Sequence, residues 1–320
     1  MIVAYVPEGD RLHATRVSPD EPVPPGAVWV DLFNPTADDD RVVTAFAAVD
    51  VPTREAMREI EPSSRLYTEG GARYMTAALL CGADTATPAV LAVTFILTER
   101  LLITVRYGEP RAFPLVSGRL GKLCPFTPTG ERILIELLEA IVDRAADVLE
   151  QLDADVETLS KTVFDDDSSA RYRAALRQIG RKEGLLSAIR ESLASLQRML
   201  SFLPADANGR DLSKDLKASV KSMARDVGGL ADYAAFLGDK LQFLLDATIG
   251  MVSLEQNNII KIFAVLSVVL MPPTLIASIY GMNFTHMPEL GLTYAYPAAL
   301  CAMVISGILP YVFFKWRGWL

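Results

Sequence analysis

Histidine, cysteine and excess basic charge are all missing or scarce in this chain of 320 residues. The two histidines, His13 and His286, lie at opposite ends, and the three cysteines, Cys81, Cys124 and Cys301, are far apart. That leaves no spacing suited to a metal or redox centre and no disulfide framework, so a reducing compartment is expected for most of the chain. No nucleophile motif and no Gly-x-x-x-x-Gly-Lys-Ser/Thr loop occur, so catalysis and ATP hydrolysis have no residues to rest on, and neither a cofactor nor a nucleotide is expected. Lysine and arginine total 31 against 39 aspartates and glutamates, a formal charge of -8. That balance argues against a nucleic-acid partner and is compatible with attracting cations. Residues Met1 to Glu8 lack a basic stretch followed by a long apolar core, so no cleaved signal is expected.

The most consequential absence is that of charge near the C-terminal end. No Asp, Glu, Lys or Arg occurs between Lys261 and Glu289, nor between Glu289 and Lys315. Each interval holds an apolar run long enough for a membrane helix, which needs about 20 residues. These runs largely account for the positive mean hydropathy of +0.25. The segments are read as a first span at 262–283, an external loop at 284–292, a second span at 293–314 and a basic tail at 315–320. Lys261 precedes the first span and Lys315 and Arg317 follow the second, while the loop carries no Lys or Arg. By the positive-inside rule both termini are cytoplasmic, the loop is outside and the lipid bilayer is a partner. Tyr294, Tyr296, Trp316 and Trp319 stand where interfacial aromatics are expected.

Residue types segregate by face within the first span. Steps of three and four from Asn257 give Ile260, Ala264, Ser267, Met271, Thr274, Ser278 and Gly281, a stripe that is small or hydroxyl-bearing over much of its length. Bulky apolar residues fill the other faces. Close helix packing and a water-facing pore both produce such a stripe. Pro272 and Pro273 favour the pore modestly, because irregular backbone in a membrane is tolerated where it is buried or lines a cavity.

The preceding chain divides into three regions. Residues 1–125 read as a cytoplasmic α/β domain, with strands at Ile2–Val6, Val28–Leu32, Tyr74–Cys81, Ala89–Leu97 and Leu101–Tyr107 and a hairpin connection at Thr98-Glu99-Arg100. Helices are expected after Pro35, capped by Thr36 or Asp38, and after Pro52, capped by Thr53. Residues 126–210 read as acidic helical arms in antiparallel pairing. Apolar positions from Ile133 to Leu159 recur at helical spacing, opposite an acidic stripe of Glu136, Glu139, Asp143, Asp147, Glu150 and Glu157. A solvated face is the simplest reading of that stripe. Asp165-Asp166-Asp167 supplies the turn between the arms, and Pro204 to Arg210 is a break.

Residues 211–261 read as one long stalk helix. Leu212, Leu216, Val220, Met223, Val227, Leu230, Ala234, Leu237, Leu241, Leu244, Thr248 and Met251 form a packing seam. Gly228, Gly229, Gly238 and Gly250 each weaken an isolated helix by about 1 kcal/mol, so subunit contacts and an obligate oligomer are expected.

At the outer end of the first span stands Tyr280-Gly281-Met282-Asn283, followed by Met287-Pro288-Glu289-Leu290. These motifs, with Glu255-Gln256-Asn257, Pro272-Pro273-Thr274-Leu275, Tyr296-Pro297 and Gly318-Trp319-Leu320, resemble the signature of the CorA family of divalent-cation channels. The resemblance is close over 254–320 and rests mainly on architecture before that. It implies an α+β protein with membrane helices: a cytoplasmic α/β domain, antiparallel arms, a long stalk and pore helix and a transmembrane hairpin, assembled as a homopentameric funnel in the cell (inner) membrane.

The function implied is inward flux of Mg2+, with Co2+ and Ni2+ as further substrates, driven by membrane potential and gated by intracellular Mg2+. Gly281, Met282 and Asn283 become the selectivity filter, Asn257, Ile260, Phe263, Met271 and Thr274 the pore lining and gate, and Glu289 the cation-concentrating residue of the loop. Asp246 aligns with an aspartate of a regulatory Mg2+ site, with Asp239 able to assist. The acidic group Glu55, Glu59 and Glu61 lies near the family's other regulatory carboxylate, and Glu59 is taken as its candidate, although Arg58 falls close to that alignment position. His286 departs from the aromatic or acidic residue of many relatives. A proton-coupled Zn2+ transporter of the same superfamily is the alternative, against which Met282 argues; a non-conducting, membrane-tethered cation sensor is the alternative of another class.

Overall fold

The computed structural model describes residues 1–18, 20–59, 61–85, 87–164, 169–204, 212–283 and 287–318. The chain divides into two compact units, one of Met1–Asp166 with Ala174–Leu245 and one of Asp167–Arg173 with Asp246–Leu320.

The first unit is built on one sheet. Strands β1 (Ile2–Glu8), β2 (Arg11–Val17), β3 (Trp29–Phe33), β4 (Leu66–Glu69), β5 (Ala72–Cys81), β6 (Ala89–Leu97) and β7 (Leu102–Arg106) lie in the order β2-β1-β3-β7-β6-β5-β4. Every neighbouring pair is antiparallel except β3 and β7. Side chains alternate between two cores, as the period of a strand requires. Trp29, Met75, Phe95 and Leu102 face one, and Val30, Tyr74, Ile96 and Ile103 the other.

Helix α1 (Ala37–Ala47) contributes Val43 to the second core. Thr36 caps it in a reciprocal box with Asp39, whose carboxylate also accepts a hydrogen bond of 2.9 Å from the Met1 ammonium. Beyond Pro52 the expected helix shortens to a single 3-10 turn at Ala56–Arg58, begun by Thr53, and the four-residue α2 (Pro62–Arg65). Met57 is the only buried side chain of the 3-10 turn, so an apolar stripe able to hold a longer helix is lacking. Two strands and a helix escape the sequence reading. Strand β2 is masked by its charged residues, β4 follows the short α2, and α3 (Ala112–Lys122) is interrupted by Pro114, Gly118 and Gly121.

The first core is closed by long helices. Helix α4 (Gly130–Phe164) starts directly on the β6–β7 turn, where a Cβ at Gly130 would lie 2.6 Å from the Leu102 backbone nitrogen. Helix α5 (Ser169–Phe202) covers the edge that β5 leaves unpaired: the Ala78 N–H donates to Ser195 Oγ at 2.8 Å. Helix α6 runs without interruption over Lys214–Tyr280, about 100 Å at 1.5 Å per residue. Its seam from Leu216 to Leu244 is buried in the same core as α4 and α5. The seam is therefore filled by this chain's own helices, and Arg190 fills the space that Gly238 leaves, donating to the carbonyls of Ala234 and Ala235. The expected turn at Asp165-Asp166-Asp167 and the break at residues 205–210 lie outside the described residues.

The second unit contains the rest of α6, a 3-10 turn at Pro288–Gly291 and helix α7 (Ala295–Trp316).

Candidate functional site

Within the second unit, the end of α6 and α7 are each long and apolar enough to cross a membrane. They pack through one face each. On α6 that face is Val265, Val269, Pro272, Pro273 and Ile276, with Val265 only 9% exposed. On α7 it is Ala299, Met303, Ser306, Gly307, Pro310 and Phe314. Gly307 is the closest point: a Cβ there would lie 3.5 Å from both the Pro273 ring and the Val269 carbonyl oxygen. The two prolines lack N–H groups, so the carbonyls of Val268 and Val269 receive no bond from the following turn. The missing side chain of Gly307 lets α7 approach that stretch of backbone.

The candidate pore residues point the other way. At about 100° per residue, Asn257, Ile260, Ser267, Met271, Thr274 and Ser278 centre roughly opposite the packed face. All six are exposed in the chain, Met271 by 68%. Phe263 shares this open side at 65% exposure. The hydroxyl of Ser267 donates to the Phe263 carbonyl at 2.8 Å and that of Thr274 to the Leu270 carbonyl at 2.7 Å. With its proton held by the backbone, each oxygen keeps lone pairs able to accept hydrogen bonds from water.

Helix α6 stops at Tyr280. The Gly281 N–H still donates to Ala277, at 3.0 Å, and the Met282 N–H to Ile279, at 3.2 Å. A Cβ at Gly281 would lie 3.2 Å from the Ala277 carbonyl oxygen, so crowding by the last turn favours glycine there, and its φ is not left-handed. Asn283 leaves the helix end exposed, beside a Met282 that is 47% exposed. Glu289 is exposed in the 3-10 turn. Phe284, Thr285, His286 and Trp319 lie outside the described residues.

Asp239 and Asp246 are exposed on α6, and Glu59 is exposed at the end of the Ala56–Arg58 turn, its carbonyl bonded by Arg65. Among the described residues no three His, Cys, Asp or Glu side chains converge on a metal position. The acidic stripe is also partly engaged. Glu136 is buried between Arg119 and Arg132, and Lys240 of α6 reaches Asp153 at 3.2 Å and Glu157 at 3.3 Å. Burial, then the neighbouring Glu136, holds the Glu139 carboxyl above the usual range. Sequence reasoning missed the pairing of Gly307 with Pro273, for which Ser306-Gly307 in an apolar run was the available signal.

Comparison with known proteins places these features in context. The family model described as CorA-like Mg2+ transporter protein matches residues 25–316. The curated magnesium transport protein CorA of Escherichia coli (strain K12) is 32% identical over 320 residues, covering all of both chains. The CorA of Pasteurella multocida (strain Pm70) is 32% identical over 294 residues, 92% of each. The complete structure of the CorA magnesium transporter from Methanocaldococcus jannaschii superposes with a TM-score of 0.78 at 16% identity, covering 100% of this chain and 99% of that one.

Proposed function

We propose that this chain, which belongs to the family of CorA-like Mg2+ transporter proteins, is one subunit of a homopentameric channel that carries Mg2+ into the cell. Members of this family are ion transporters rather than enzymes. The observation that carries the reading is the segregation of α6. Val265, Val269, Pro272, Pro273 and Ile276 face α7. The exposed remainder also carries bulky residues such as Ile262, Leu266 and Leu275, and within it the face with Asn257, Ser267, Thr274 and Ser278 has the polar groups suited to water and ions. In a five-fold ring that face lines the axis.

Chemistry favours Mg2+ at such a lining. The ion dehydrates reluctantly and keeps several waters, whose protons donate hydrogen bonds. The Asn283 amide oxygens at the external end and the hydroxyl oxygens of Thr274 and Ser267 accept them without a formal charge. A ring of carboxylates would hold a divalent ion more tightly, whereas conduction needs release. Ile260, Phe263 and Met271 supply apolar rings able to close by dewetting. Glu289 raises cation concentration at the mouth. Inward movement of a divalent ion through 100 mV is worth about 4.6 kcal/mol, twice the single-charge figure, so no second energy source is needed. Exposed Phe236 and Phe243 on α6, at 56% and 61%, offer apolar surface for neighbouring subunits and support an oligomer. Lys261, Lys315 and Arg317 support cytoplasmic termini.

Gating is assigned to Asp246, assisted by Asp239, with intracellular Mg2+ held between subunits in the closed state. Among the described residues no three acidic, His or Cys side chains converge within one chain, which is compatible with an ion shared between subunits. Glu59 is the third candidate. Co2+ and Ni2+, of the same charge and also hydrated, are further substrates. Flux into liposomes tests the whole reading: Mg2+ uptake blocked by cobalt hexaammine supports it, while proton-dependent Zn2+ uptake, or no flux at all, overturns it.

A further inference from the structure

The first unit holds a cavity of about 220 Å³ that conduction does not use. It lies over β5 and β6, with Val90, Leu91 and Ala92 among its apolar lining. Three arginines, Arg54, Arg58 and Arg65, also line it, together with Tyr107 and Glu191. Three arginines thus stand with one carboxylate, Arg54 and Arg58 being exposed, while Glu55, Glu59 and Glu61 of the same segment are not among the lining residues.

Two of the three arginines are held in place. The Arg54 guanidinium carbon stands 4.9 Å from the centre of the Tyr107 ring, and Arg65 donates from Nε to the Glu59 carbonyl. Among the described residues no ion pair joins Arg54, Arg58 or Arg65 to a carboxylate. Elsewhere in this unit arginines do find acids: Arg106 pairs with Asp31, Arg119 and Arg132 with Glu136, and Arg111 and Arg144 with Asp84. Like charges gathered around one space repel, and an anion entering that space relieves the repulsion.

We infer that this cavity binds a small phosphomonoester. A carboxylate is satisfied by one bidentate arginine, whereas a tetrahedral dianion has the charge and the acceptor oxygens to engage three guanidinium forks. Glu191, exposed on α5 at the same cavity, is an acceptor for a hydroxyl on the remainder of the ligand. The site therefore favours a phosphorylated polyol over free phosphate.

Calorimetric titration of the full-length protein in nanodiscs, in the absence of divalent cations, tests this with inorganic phosphate and glycerol 3-phosphate as probes. Saturable binding is expected, tighter for glycerol 3-phosphate and weaker as ionic strength rises. The double variant Arg54→Gln/Arg58→Gln should bind at least about tenfold more weakly, since each lost charge-assisted bond contributes measurably. Arg58→Lys, which keeps the charge, should lose less than Arg58→Gln. Mg2+ uptake by the double variant reports that it is folded, and it should persist. Absence of saturable binding by both probes overturns the inference, as does equal affinity of the double variant and the parent. So does loss of the oligomer in the double variant without phosphate binding by the parent, because the arginines would then serve a second copy of the chain.

Discussion

Replacing Arg106 by methionine removes the centre of a buried polar network while keeping much of the side chain's apolar volume. Arg106 donates to Asp31 from Nε at 3.1 Å and from Nη2 at 2.8 Å, and to the Gly108 carbonyl from Nη1 at 3.0 Å. Its guanidinium carbon lies 4.5 Å from the centre of the Phe33 ring and 4.9 Å from that of Phe113. The side chains of Arg106 and Asp31 are only 8% and 3% exposed. Without the arginine, Asp31 keeps the Thr104 hydroxyl at 2.7 Å but loses its counter-charge in a place water does not reach. Breaking a buried pair from one side costs about 3–5 kcal/mol. For a domain of about 150–250 residues each kcal/mol lowers the melting midpoint by about 2–4 °C. The first unit should therefore melt roughly 6–20 °C lower, measured by intrinsic fluorescence of the purified protein, since Trp29 donates to Thr104 in the same network. The double variant Asp31→Leu/Arg106→Met, with neither charge left, should recover most of that loss, because an apolar replacement of a buried pair is often neutral. A single variant that melts with the parent, or a double variant no better than the single, would refute the reasoning.

Three further outcomes follow from the geometry. In a Cys301→Ser background, where the remaining cysteines Cys81 and Cys124 are buried, Thr274→Cys and Met271→Cys should react with a water-soluble thiol reagent in the assembled protein. Val269→Cys and Ile276→Cys should react much more slowly, because α7 covers them; equal rates on both faces would contradict the pore assignment. The Asp39 carboxyl is pushed up by burial, but hydrogen bonds from the Thr36 N–H, the Met1 ammonium and the Thr36 hydroxyl outweigh that and hold its pKa below the ordinary value. A depressed folded pKa gives stability that is present above the unfolded value of about 3.9 and lost as pH falls through the folded one. Asp39→Asn should therefore lower the melting midpoint at pH 7 and narrow its gap to the parent as pH drops below about 4, read by melting curves across pH. Asp246→Ala should leave Mg2+ conductance intact and weaken its inhibition by internal Mg2+; unchanged inhibition in patch recordings rejects Asp246 as a gating group.

The framework was legible wherever apolar periodicity was undisturbed. Five strands, the capped α1, both arms and the long helix follow from runs such as Ala89–Leu97 and the seam from Leu216 to Leu244. Charge hid β2, since Arg11, His13 and Arg16 alternate with its few apolar residues. Proline and glycine hid α3, although Phe113, Val116 and Leu120 sit at helical spacing and are buried. The seam was seen but its occupant was not, because periodicity tells that a face is covered and not by what. Gly238 shows the same limit: its cost in helix propensity is plain in sequence, while its use, making room for Arg190, needs the third dimension. In the membrane unit the small and hydroxyl stripe of α6 is exposed, but so are bulky residues such as Ile262, Leu266 and Leu275, so the pore line rests on residue type and not on exposure. The regulatory carboxylates could not be resolved in the same way, since Asp246 and Glu59 meet no metal-binding set inside one chain among the described residues.

The most direct measurement is Mg2+ uptake into liposomes by the parent and by Asn283→Ala, each verified to form the same oligomer. If the Asn283 ring recognises the hydrated ion at the outer end of the α6 stripe, the parent conducts Mg2+ and the variant loses selective uptake with its assembly intact. Unaltered selective uptake by Asn283→Ala would contradict the account.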